Sequence, residues 1–112
     1  MRLRRVLPNV SAVSDAPMAA RARVVGRLRP GDCVRGRLAE GDVFDADVVG
    51  AERDAAGVRA ALVPTGVSPA STRWRVRVPR TRGAWRSPRF ERRLDGAWTT
   101  HDTVVELRRR CR

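Results

Sequence analysis

Lysine, isoleucine, tyrosine and glutamine do not occur in this chain, and asparagine occurs once, at Asn9. All 24 basic residues are therefore arginine. Lys, Ile, Tyr and Asn have AT-rich codons, so their loss points to a very GC-rich genome, such as that of a high-GC bacterium or its phage. That bias explains why Arg replaces Lys. It does not explain where the arginines fall.

Chemistry-bearing residues are also scarce. His101 is the only histidine, and Cys33 and Cys111 are the only cysteines, far apart and without a CxxC pair. A catalytic His/Cys set or a zinc ligand set cannot be assembled from these, and a reducing compartment is expected. No Gly-rich phosphate loop occurs. Gly66-Val67-Ser68-Pro69-Ala70 lacks the closing Gly of a nucleophile elbow, and a Pro follows its Ser. The acidic run Glu40, Asp42, Asp45, Asp47 has no EF-hand spacing. No enzyme activity, cofactor or metal is expected. Long apolar runs are missing too: Pro8, Asn9, Ser11 and Ser14 interrupt the N-terminal stretch, which offers neither a signal-peptide core nor a membrane span. The expected location is cytoplasmic or within a virion.

What is present is charge of one sign. Over 112 residues the formal net charge is +12, which favours nucleic acid or another polyanion as partner. Hydrophobic residues at 42% make the chain globular rather than disordered. The length suits one domain, read as a basic N-terminal arm over 1–20 and a single β domain over 21–112. Nine arginines stand between residues 72 and 93 against the single acid Glu91, giving 9 − 1 = +8. Residues 40–54 carry six acids against Arg53, giving 1 − 6 = −5. The chain is bipolar as well as basic.

Period-two alternation between Gly-containing turns predicts short antiparallel strands over 22–28, 33–38, 43–50, 57–64, 72–78, 89–94, 97–101 and 103–109. Asp95-Gly96 predicts a type I′ turn that sets Arg93 opposite Trp98 and Phe90 opposite His101. Two segments keep a helical alternative: 88–95, with Ser87 as N-cap, and 102–110, with Asp102 as cap. Residues 79–88 read as a loop. The fold expected is mainly β, a small antiparallel barrel or sandwich of about six short strands.

Arg29-Pro30-Gly31-Asp32-x-Val34 followed by Glu40-Gly41-Asp42-x-Phe44-Asp45-Ala46-x-Val48 resembles the first strands of SH3-like small barrels of the Tudor or KOW type. The resemblance covers residues 28–63. It implies the barrel but no methyl-lysine cage, since this segment holds only the ring of Phe44.

The candidate site follows from alternation. Trp74, Val76 and Val78 point one way and Arg73, Arg75 and Arg77 the other, with same-face neighbours about 7 Å apart, near the spacing of successive phosphates. Arg80, Arg82, Arg86 and Arg89 continue the charge, and Trp85 is a stacking candidate. The function expected is phosphate-backbone binding of DNA or RNA with low sequence specificity. The alternative is a structural subunit of a phage particle or ribonucleoprotein, its copies joined by acidic-to-basic contacts.

Overall fold

In the computed structural model, residues 18–68 and 73–110 are described. Most of the expected arm (1–17) and the centre of the β3–β4 connection (69–72) lie outside them. Residues 18–26 form a helix, α1, followed by seven strands: β1 Cys33–Leu38, β2 Val43–Asp54, β3 Gly57–Pro64, β4 Trp74–Thr81, β5 Ala84–Trp85, β6 Arg89–Leu94 and β7 Ala97–Arg109. All pairings are antiparallel. The order β3-β2-β1-β7-β6-β4 is closed by β3 pairing with β4, from Gly57↔Pro79 to Leu62↔Trp74. The result is a six-stranded barrel, with β5 as a short outrigger on the end of β4. Closure removes the unpaired edges that an open sheet would present.

The expected alternation fills the interior. Val34, Leu38, Phe44, Ala46, Val48, Val58, Ala60, Leu62, Val76, Val78, Phe90 and Val104 are buried. Each large side chain among them contributes about 1.5–3 kcal/mol by leaving water. Phe44 needs Gly36 opposite it in the β1–β2 register, where a Cβ would come within 2.3 Å of the ring. Gly57 opens β3 at a φ of 134°, and a Cβ there would meet the Val78 carbonyl at 2.2 Å.

The reading of 22–28 as a strand is corrected by the helix. Ala22, Val25 and Leu28 are buried at a spacing of three, the stripe of a helix face, while Arg23 and Arg27 stay exposed. Val24-Val25 favoured a strand locally, and packing onto the barrel overrode that preference. The helix also takes in residues 18–20, which were assigned to the arm. It lies across one end of the barrel. On one side a cleft between it and β7 is lined by Val24, Val25, Pro88, Val104 and Leu107; on the other it meets Ala51 and Arg53 of β2.

Other boundaries move in the β direction. Strand β2 runs on to Asp54, four residues beyond the expected 43–50, which leaves only a tight turn at 55–56. The supposed loop 79–88 contains the β4–β5 hairpin, whose turn residues Arg82 and Gly83 have φ of 54° and 78°. Both helical alternatives give way to strands, and β7 is one continuous strand. The Asp95-Gly96 turn (φ 52° and 80°) sets Leu94↔Ala97 and Arg93↔Trp98 as expected. Phe90, however, pairs with Asp102, because a bulge between Phe90 and Glu91 shifts the register. His101 still meets the Phe90 ring edge-on, centroids 6.1 Å apart.

By this register the two ends of the barrel differ. Helix α1, the β2–β3 turn, the β4–β5 hairpin and the end of β7 share one end. The β1–β2, β3–β4 and β6–β7 connections share the other.

Candidate nucleic-acid interface

Strand β4 turns Val76 and Val78 inward and Arg75 and Arg77 outward, as the pleat requires. Trp74 joins the interior rings of Phe44 and Phe90, at centroid distances of 6.3 and 5.3 Å, with those two rings 4.7 Å apart. The three rings pack on one another, Phe44 and Phe90 within the core and Trp74 half-buried against it.

The outward arginines are not a free row. In the register Arg75 faces Glu91 and Arg77 faces Arg89 across β4–β6. Glu91, only 3% exposed, accepts a hydrogen bond from Arg75 Nε at Oε1. Its Oε2 accepts from Arg77 Nε at 3.1 Å and from Thr100 Oγ1 at 3.3 Å, and Arg77 Nη2 lies 3.0 Å away. Burial pushes the Glu91 carboxyl up, but the hydrogen bonds and charges of Arg77 and Arg75 outweigh it and hold the group below its ordinary value. Two guanidinium groups on one carboxylate leave 2 − 1 = +1. Arg75 also stacks on the indole of Trp98, Cζ 4.3 Å from its centroid.

Arg59 lies beside Arg77 in the β3–β4 register and is bound to Glu52 and Asp54, at 3.1 and 3.0 Å. The Asp54 hydrogen bond, ahead of burial acting the other way, raises the Arg59 guanidinium. The same bond, with the Ala56 amide, lowers Asp54. The acidic run is spent similarly. Asp45 is paired to Arg35 at 2.8 Å, which lowers the carboxyl and raises the guanidinium; Arg110 stands 3.5 Å off. Asp47 accepts from the Cys33 thiol at 3.3 Å, and Glu40 meets His101 at 3.2 Å. Among the described residues no group of three or more His, Cys, Asp or Glu side chains is arranged to hold a metal ion.

The remaining candidates other than Arg73 lie toward the helix-capped end. Arg80, Arg82 and Arg86 are exposed on and just after the β4–β5 hairpin, with no carboxylate partner among the described residues. Arg80 donates Nε to the Gly83 carbonyl at 3.3 Å and lies over Trp85, Cζ 5.0 Å from the ring centroid. Trp85 packs its other surface against the core, so it is a support for Arg80 more than an open platform. The hairpin is tied to the β2–β3 turn by Arg80 N–H to Ala56 O at 2.8 Å. Arg89 is exposed on β6. Arg73 is separated from this group: the Arg93 amide donates to its carbonyl at 2.8 Å, at the opposite end with Arg92 and Arg93.

Sequence reasoning missed three members of the basic end. Arg23 on α1 and Arg27 just past its last residue are exposed four positions apart, and exposed Arg53 runs beside the helix, its Nη2 3.4 Å from where a Cβ on Gly26 would stand. The four-residue spacing of Arg23 and Arg27 was the available signal, hidden once 22–28 was read as a strand.

Among the described residues no helix is long and apolar enough to cross a membrane. Compared with family models, with curated proteins and with solved structures, the chain matches none of them.

Proposed function

We propose that the protein is a non-enzymatic module that binds DNA or RNA through the phosphate backbone, with low sequence specificity, at the helix-capped end of an SH3-like barrel. The observation that carries this reading is the exposure of Arg80, Arg82 and Arg86 without carboxylate partners among the described residues, at the same end of the barrel as Arg23, Arg27 and Arg53, which share their pocket with Glu52. An uncompensated cluster repels itself unless an anion arrives, and guanidinium forks grip phosphate in two-pronged fashion. Arg75 and Arg77, already committed to Glu91, contribute field more than phosphate contacts. The test is affinity for duplex DNA across a salt series. Six neutralised phosphates give a slope of about −5 in log K against log salt. A flat dependence speaks against the reading.

A second reading is favoured by the asymmetry of the barrel. The end opposite the helix balances exposed Glu40, Asp42 and Asp95 against exposed Arg73, Arg92 and Arg93, so the basic end of one copy can meet those three acids on the next. Contacts of this head-to-tail kind build rings or filaments. Light scattering after nuclease treatment separates the two readings: salt-sensitive oligomers without nucleic acid support assembly, and a monomer that grows only on adding DNA or RNA supports binding.

A further inference from the structure

On the outer wall of the barrel, away from the hairpin arginines, a groove of about 380 Å³ runs between β2 and Trp98. That volume lies within the roughly 300–1,000 Å³ of small-ligand sites. Its floor is kept low by Gly50, Ala51 and Ala61, and its walls are Arg59, Arg75 and Trp98. The bulge between Val48 and Gly50 shapes the β2 side.

Both guanidinium groups in the groove are held before any ligand arrives. Arg75 is bonded through Nε to a buried carboxylate and stacked on the indole, so its terminal nitrogens remain for a ligand. Arg59 is fixed by Glu52 and Asp54. The Glu52 contact uses Oε1, which leaves Oε2 as an acceptor on a side chain that is 73% exposed. A stacked planar pair, a small-residue floor, fixed donors and one free acceptor match the face and edge of a nucleobase.

We propose that this groove receives an unpaired base, so that the protein prefers single-stranded to duplex nucleic acid. This rests on the nucleic-acid reading above. A base in a duplex is stacked and paired and cannot enter a groove on a convex wall, whereas a single strand can turn one base in. The phosphates then run toward the basic end: Arg80 follows Arg75, the guanidinium on the groove wall, by five residues, about 17 Å along the strand.

The experiment is fluorescence anisotropy of the full chain with a labelled single strand of about 12 nucleotides and with the duplex of the same sequence, at low salt. Two variants alter the groove differently. Trp98→Ala removes the stacking wall, and Ala61→Leu fills the floor while leaving the Arg75–Trp98 pair. Both are expected to weaken single-strand binding about tenfold and to change duplex binding by less than about twofold. Unchanged single-strand affinity, or equal losses on both substrates, overturns the groove assignment while the backbone-binding reading stands. If Trp98→Ala changes sedimentation but not affinity, the groove is a contact between copies and the assignment falls. Failure of the unaltered protein to bind either substrate overturns both.

Discussion

Glu91 lies directly opposite Arg75 across β4 and β6, and its carboxylate, buried beneath the barrel's outer surface, fixes both Arg75 and Arg77. One acid within the +8 stretch thereby splits that stretch. Two arginines become part of the wall, and those of the hairpin beyond Pro79 stay free of carboxylates among the described residues.

Removing the carboxylate tests this arrangement. Glu91→Ala leaves two adjacent guanidinium groups uncompensated and is expected to destabilise the barrel by about 2 kcal/mol, less than the 3–5 of a fully buried pair because the arginines keep contact with water. Denaturant unfolding of the variant beside the parent protein reads this directly. No loss of stability contradicts the role given to Glu91.

The same carboxylate sets an acid limit. Its native pKa lies below the ordinary 4.5, so the folded state releases that proton more readily than the unfolded chain does. The stability it contributes is present above about pH 4.5 and is lost as pH falls through the lower native value. Asp45 and Asp54 act in the same direction. Glu91→Gln is expected to flatten the stability profile below pH 4.5, measured as melting temperature against pH. An unaltered profile contradicts the assignment.

Gly57 offers a backbone test. Substitution by Ala forces a Cβ into the Val78 carbonyl at a φ that side chains rarely adopt, so Gly57→Ala is expected to cost about 2 kcal/mol or more. Gly50, with nothing near a would-be Cβ, is the control. Equal unfolding midpoints for the two variants contradict the tight β3–β4 closure.

Trp85 separates support from recognition. Packed on the core beneath Arg80, it is expected to cost about 2 kcal/mol on truncation to Ala, well beyond the effect of a solvent-exposed ring. Thermal unfolding measures this. Full stability with lost affinity returns Trp85 to the role of base platform.

Much of the barrel was legible because its strands alternate cleanly. TRWRVRV and CVRGRL state which side chains go in, and Asp95-Gly96 states its own register as far as Arg93↔Trp98. The bulge that moves Phe90 onto Asp102 was not legible, since an extra residue leaves no mark in a period of two. Helix α1 was lost to the β preference of Val24-Val25, although Ala22, Val25 and Leu28 held the opposite signal. At the candidate site the arginines were countable, but their pairing was not. Glu91 neighbours Arg75 only after β6 returns beside β4, sixteen positions along the chain. Likewise Arg23 and Arg27 come beside Arg53, at the end of the barrel that carries the hairpin, only because the helix crosses that end.

The most direct measurement sets two charge-matched triple reversals against each other on the same DNA or RNA at one salt concentration. Arg80, Arg82 and Arg86 to Glu alters the helix-capped end; Arg73, Arg92 and Arg93 to Glu alters the opposite mouth, with an identical change in net charge. The first is expected to weaken binding by at least about a hundredfold and to reduce the salt slope by about 3, and the second by less than about tenfold. Equal losses would mean that total charge alone attracts the polyanion and that no end of the barrel is its site.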